Sequence, residues 1–247
     1  LMRLSATQNP AKIHGGGNVN GPGAGALRHA GALSMDFHPS MRGVYVIATE
    51  GGLCHKCSSS YTDQYLQTYI GHVGPVIKAR WSPFSPLIFI TAGSDWTMRL
   101  WDQERGNAPA VTITLDPSSR SATNTTTTAA PGTAPSPAIS QTQADKLQQL
   151  QPLPEYPNDI SWSPVSSTVL ALAVGKTLQI WDLYNSTMDP IYTIPCESPC
   201  VSATFSPSRG VIAAGSSDGS VTIYRIHDDV LYGPIKSLNE SEQRDRI

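Results

Sequence analysis

The chain repeats itself, and a repeat of fixed length limits a polypeptide to architectures stacked from one supersecondary unit. An aromatic residue, one variable residue and a proline recur four times, as Phe37-His38-Pro39, Trp81-Ser82-Pro83, Trp162-Ser163-Pro164 and Phe205-Ser206-Pro207. Each copy ends a short alternating segment: Ala32 to Asp36, Val76 to Arg80, Asn158 to Ser161, and Val201 to Thr204. Each then leads into a small or β-branched apolar run: Val44 to Ala48, Ile88 to Ala92, Val169 to Ala173, and Val211 to Gly215. A third segment follows a turn in every copy: Leu53 to Cys57, Thr97 to Trp101, Thr177 to Trp181, and Ser220 to Tyr224. Two of these close on Trp-Asp, at Trp101-Asp102 and Trp181-Asp182. Period-2 alternation and β-branched runs predict strands, and almost no stretch carries helical periodicity.

The spacing names the architecture. Phe37 and Trp81 are 44 residues apart, Trp162 and Phe205 are 43 apart, and the 81 residues from Trp81 to Trp162 hold one repeat plus an insertion. A period of about 40–45 residues with a Trp-Asp end marks the four-stranded blade of an all-β, WD40-type β-propeller. Four blades are expected across residues 30–228, at about 30–70, 71–115, 155–195 and 196–228, with Leu1 to Leu4 ending a fifth. Propellers close with roughly four to eight blades, so the others are expected upstream. Small residues suit inner strands, where sheets crowd face to face. Glu50-Gly51-Gly52 and Ser217-Asp218-Gly219 supply turns that need positive φ. The repeated proline falls where the ladder needs no donor.

Residues 116–154 interrupt the repeat with a Ser/Thr/Pro-rich stretch that includes Thr125 to Thr128. With almost no large apolar residue it cannot offset its ordering entropy and reads as a disordered insertion; only Lys146 to Leu150 suggests a helical turn. Residues 1–29 read as a flexible glycine-rich segment, and 229–247 as a polar tail. Gly15-Gly16-Gly17 and Gly21 to Gly25 do not form a phosphate loop, because no Gly-Lys-Ser/Thr closes them and no helix follows.

Chemistry is sparse. Seventeen basic and 19 acidic residues give a net charge of −2. That balance offers no footprint for nucleic acid and no polybasic face for a membrane, and no apolar run is long enough to span one. A soluble, intracellular protein is expected. Cys54 and Cys57 have CxxC spacing and Cys196 and Cys200 CxxxC spacing, which admits a four-thiolate zinc site. Positions three apart on a strand point to opposite faces, however, so reduced buried thiols, with no metal and no cofactor, are the reading taken. His72 before the first strand of blade two, Asp95 in its turn and Trp101 at the end of its third strand form a set able to hydrogen-bond within the blade. His72 with Asp95 is the one acid–base candidate, and a structural pair accounts for it, so no catalytic residue is assigned. No Gly-x-Ser-x-Gly elbow and no His-Glu-x-x-His occurs.

Longer runs are more specific than the repeat. They are Thr49-Glu50-Gly51-Gly52-Leu53-Cys54-His55-Lys56-Cys57-Ser58, Tyr65 to His72, Pro75 to Phe84, Ser94 to Trp101, and Trp162-Ser163-Pro164-Val165-Ser166-Ser167-Thr168-Val169. In this order, over most of residues 44–225, they resemble dynein intermediate chains of the axonemal type. The Gly71-His72-x-Gly74-Pro75-Val76 run favours the inner-arm over the outer-arm type. Val174-Gly175-Lys176 departs from the family's acidic turn, and the Ser/Thr insertion is not a family feature. The resemblance implies a non-catalytic scaffold in the axoneme of a cilium or flagellum, within the cytoskeleton and cytoplasm. Its implied partners are a dynein heavy-chain tail, a second intermediate chain, light chains and, indirectly, the doublet microtubule. Phe84 and Trp96, large aromatics in loops, are the candidate protein contacts. The competing expectation is a propeller adaptor of a ubiquitin-ligase or chromatin complex, which would need a ring of basic or aromatic residues over the channel.

Overall fold

The computed structural model describes residues 30–61, 64–115, 155–207 and 210–226. The expectations for residues 1–29, 116–154 and 229–247, including the Leu1 to Leu4 strand and the Lys146 to Leu150 turn, lie outside the described residues. The chain divides into two units, residues 1–115 with 156–247 and residues 116–155; every strand described below lies in the first.

Fifteen strands form four antiparallel sheets among the described residues. Blade one is β1 (Ala32–Phe37), β2 (Val44–Thr49), β3 (Leu53–Ser58) and β4 (Gln67–Ile70), hydrogen-bonded in that order. Blade two is β5 (Val76–Trp81), β6 (Ile88–Gly93), β7 (Thr97–Asp102) and β8 (Val111–Thr114). Blade three is β9 (Pro157–Trp162), β10 (Val169–Val174), β11 (Thr177–Asp182) and β12 (Tyr192–Pro195). Blade four has three described strands, β13 (Cys200–Phe205), β14 (Val211–Ser216) and β15 (Val221–Arg225). The architecture is that of a partial all-β propeller. One 3₁₀ turn, Gln103–Arg105, follows β7, and the Asp102 carboxylate caps it by accepting from the Glu104 N–H at 2.9 Å.

The aromatic-x-proline motif works through its middle residue. Ser82 Oγ accepts from the N–H groups of Phe84 and Ser85 at 3.2 and 3.3 Å, and Ser163 Oγ accepts from Val165 and Ser166, both at 3.2 Å. His38 Nδ1 does the same for Ser40 and Met41 at 3.2 and 2.9 Å. Such side-chain turns brace the loop after the inner strand alongside its backbone bonds. In all four copies the middle residue's own N–H reaches the first carbonyl of the next strand at 2.9 Å.

The inner strands share a second device. Pairing of β1, β5, β9 and β13 with the following strand skips one residue each time, at Leu33, Ile77, Asn158 and Val201. Each of these lies four residues before the repeat aromatic, so the same β-bulge twists every blade at the same height.

Blades pack face to face through apolar clusters. Trp81, Phe89, Trp101, Tyr69 and Val46 fill the seam between blades one and two. Phe89 stacks on Trp101 at 5.9 Å and 8°, and Tyr69 meets Phe89 edge-on at 4.7 Å. Leu100, Ile113, Ile160, Leu172 and Trp181 fill the second seam, and Ile180, Leu178, Ala203 and Ile212 the third. Burying each large side chain contributes about 1.5–3 kcal/mol, so the seams hold the blades in place.

Candidate functional site

The polar network of blade two starts from a donor with one possible role. Indole Nε1–H can only donate, and Trp101 Nε1 donates to Thr91 Oγ1 at 2.8 Å. Thr91 Oγ1 lies 2.7 Å from His72 Nε2, and His72 Nδ1 lies 2.9 Å from Asp95 Oδ1. A neutral imidazole satisfies every group: Nε2 accepts from the Thr91 hydroxyl and Nδ1–H donates to the carboxylate. Asp95 also accepts from Val73 N–H (3.1 Å), Thr97 N–H (3.3 Å) and Thr97 Oγ1 (2.8 Å), and pairs with Arg99 Nη2 at 3.6 Å. Burial opposes its charge, but the hydrogen bonds from His72, Val73 and Thr97 win and hold the carboxyl far below the usual range. Both nitrogens of His72 are therefore engaged, and this pair holds the Gly71–Gly74 segment against the β6–β7 turn.

Space for that approach comes from Gly93. A Cβ there would stand 2.4 Å from His72 Nδ1 and 2.7 Å from Asp95 Oδ1, both inside contact distance. Thr91 and Gly93 were not singled out by sequence reasoning. Their signal was present, since blade two alone has a threonine at the fourth position of its second strand, where the others have Ile47, Leu172 and Ala214.

The structure separates the two candidate contact residues. Phe84 lies half-buried in the β5–β6 loop, and Trp96 lies half-buried in the β6–β7 turn, at the opposite end of the same strands. Trp96 has φ 55, the left-handed region, where the matching three-residue turns of blades one and four carry Gly52 (φ 80) and Gly219 (φ 87); blade three has a shorter two-residue turn, Gly175-Lys176, with Gly175 at φ 50. A bulky residue in that region carries roughly 1 kcal/mol or more of backbone strain. The Trp96 carbonyl accepts from Leu115 N–H at 2.7 Å, which ties the turn to the end of β8.

Carboxylates on the inner strands link neighbouring blades, and sequence reasoning did not find them. Asp36 Oδ2 accepts from Trp81 N–H at 2.8 Å. Asp159 Oδ2 accepts from Ser202 Oγ (2.8 Å) and Ala203 N–H (3.2 Å), while Oδ1 lies 3.4 Å from Lys78 Nζ. Ser34 and Ser161 add similar bonds to Ala79 and Phe205 N–H at 3.4 and 3.3 Å. The visible signal was a polar residue one and three positions before the aromatic, as in Ser34-x-Asp36 and Asp159-x-Ser161.

The cysteines stand in two places. Cys54 and Cys57 lie buried in β3, with Cys54 in the seam to blade two, while Cys196 and Cys200 flank the step from blade three to blade four. Burial pushes the Cys57 and Cys200 thiols up to about 11, so they remain protonated and unreactive near neutral pH.

Comparison with known proteins agrees with the geometry. The WD domain, G-beta repeat model matches residues 63–102 and 188–225. Sheets and repeat matches together define a WD40-repeat β-propeller protein. Within that class the chain is homologous to axonemal dynein intermediate chains. It is 31% identical to mouse dynein axonemal intermediate chain 4 over 231 residues, 92% of this chain and 24% of the mouse protein. It is 32% identical to the zebrafish (Danio rerio) protein of that name over 206 residues, 81% of this chain and 22% of the relative. A sea-urchin (Heliocidaris crassispina) ciliary dynein intermediate chain 2 is 28% identical over 202 residues, 78% of this chain and 23% of the relative. The chain thus spans about a quarter of the length of these relatives.

Proposed function

We propose that the chain is a non-catalytic scaffold segment of an axonemal dynein arm, which binds the tail of a dynein heavy chain and helps to dock the motor on the doublet microtubule. The observation that carries the reading is homology to axonemal intermediate chains over nine-tenths of the sequence. The geometry supports a positional role. The sole acid–base pair the sequence offered is engaged within its own blade, with His72 held between Asp95 and Thr91. His72, Asp95 and Trp101 serve as a structural lock, and loops at the two ends of the strands, with Phe84 at one and Trp96 at the other, serve as contact surfaces. A second intermediate chain and light chains complete the assembly, and the inner arm is the location favoured by Gly71 to Val76.

Affinity capture of the tagged full-length protein from salt-extracted axonemes, with mass spectrometry of the eluate, tests this. The expected eluate contains dynein heavy chains with light chains, and the heavy chain recovered names the arm. An eluate of ligase or chromatin subunits without dynein overturns the scaffold reading.

A further inference from the structure

We propose that the β6–β7 end of blade two docks a basic segment of the heavy-chain tail that presents an aliphatic or aromatic side chain between lysines or arginines, a proposal that rests on the scaffold reading above. Three observations converge on this end. First, the turn is strained where strain is avoidable: Trp96 takes φ 55 at a position that glycine fills in the matching turns of blades one and four. Left-handed bulky residues persist where the surroundings over-determine them, and they concentrate at ligand clamps and contact sites.

Second, an apolar side chain stands beside that turn with none of the described residues covering it. Val73 is 91% exposed, yet its backbone is fixed, because its N–H donates to the same Asp95 carboxylate that orders the turn. Thr97, Arg99 and His72 brace that carboxylate in turn. An exposed valine on a rigid mount beside a half-buried tryptophan gives an anchor whose ordering entropy is already spent in folding. The corresponding turns of the other blades offer Gly51-Gly52, Gly175-Lys176 and Asp218-Gly219, with no large apolar side chain.

Third, the exposed charge at this end is mostly negative. Glu50, Glu197 and Asp218 are exposed on the turns and links that face the same way, against the single exposed ammonium of Lys176 among the described residues. Glu50 belongs to the turn that touches the anchor: a Cβ on Gly52 would stand 2.9 Å from the His72 carbonyl oxygen and 3.1 Å from that of Gly74. The opposite end is mixed, with exposed Arg42, Arg105, Glu104 and Asp189. Complementary charge steers association and sets register, and the apolar anchor supplies most of the affinity.

The test measures binding of a purified heavy-chain tail fragment to the full-length protein at low and moderate salt. Variants are Val73→Ser, Trp96→Gly, Glu50→Lys and Lys176→Glu. Val73 is so exposed that Val73→Ser leaves the melting temperature unchanged and reports on docking alone. The expected losses are on the order of fivefold for Val73→Ser and tenfold or more for Trp96→Gly. Glu50→Lys weakens binding and flattens its salt dependence, and Lys176→Glu tightens it. If the wild type binds the tail and Val73→Ser and Trp96→Gly bind equally well, this surface is wrong and the scaffold reading stands. Loss on Val73→Ser without any effect of Glu50→Lys or of salt overturns the basic character of the partner segment. A wild type that does not bind the tail at all overturns the scaffold reading and this surface with it.

Discussion

Two residues of blade two decide whether its lock and its turn can form. Gly93→Ala drives a methyl group into His72 Nδ1 and Asp95 Oδ1, neither of which can retreat without breaking the chain to Thr91 and Trp101. A disrupted buried network of this kind is expected to lower stability by about 2–4 kcal/mol, read as a fall in the denaturant midpoint with an unchanged slope. Trp96 is best probed by difference. Trp96→Ala and Trp96→Gly both delete the indole, but only glycine accepts φ 55 without strain. The glycine variant should therefore be the more stable of the two by about 1 kcal/mol, the reverse of the order at an ordinary position. Equal stabilities would mean that the turn relaxes out of the left-handed region once the ring is gone. At this scale the sequence was legible in part. His72, Asp95 and Trp101 stood out because their residue types imply hydrogen bonds. Thr91 and Gly93 did not, since a threonine in a strand and a glycine before a turn are ordinary until the histidine is seen against them.

At the scale of elements, the strands were readable because alternation and β-branched runs are local signals, and the fold class follows from their period. The four bulges and the Asp36 and Asp159 links were not readable, because each depends on the register between two strands or on a neighbouring blade. β3 carries an element-scale consequence for pH. His55 lies fully buried in it, with Nδ1 3.0 Å from Thr68 Oγ1 of β4, its ring stacked on Tyr65 at 3.9 Å, and Nε2 without a hydrogen-bond partner. Burial pushes its pKa down to about 4. Between that value and the ordinary 6.5 of the unfolded chain, the unfolded state takes up a proton that the folded state refuses. The contribution of a neutral His55 is thus fully present above pH 6.5 and is lost as the pH falls toward 4, with a slope of at most about 1.4 kcal/mol per pH unit. His55→Gln should flatten that part of the stability curve measured by urea unfolding. An unchanged slope would assign the pH dependence to another group.

For the molecule as a whole, the decisive feature is that the blades stack like steps whose first and last faces have no partner among the described residues. Each interior face is closed by a seam of buried apolar side chains, whereas Leu33, Met35 and Phe37 alternate along the outer face of β1, with Met35 50% and Phe37 61% exposed. On the far face Val221 and Ile223 of β15 are 66% and 70% exposed. Their positions in the repeat match residues that lie inside seams elsewhere: Phe37 corresponds to Trp81 and Trp162, and Ile223 to Leu100 and Ile180. Contiguous apolar faces of this kind associate, and a stack of like units offers complementary faces at its two ends. The 247-residue chain by itself is therefore expected to self-associate with rising concentration, through end-to-end packing of blade four on blade one. Sedimentation velocity across a micromolar range checks this, with a weight-average mass that climbs for the wild type. Met35→Lys combined with Ile223→Lys places a charge on each face at exposed positions, so it should abolish the climb while changing stability by no more than about 0.5 kcal/mol per site. A chain extended by further blades that cover these faces should show neither the association nor the rescue. A wild-type chain that stays monomeric throughout would mean that the end faces are already satisfied, and the seam-like reading of Phe37 and Ile223 would fall.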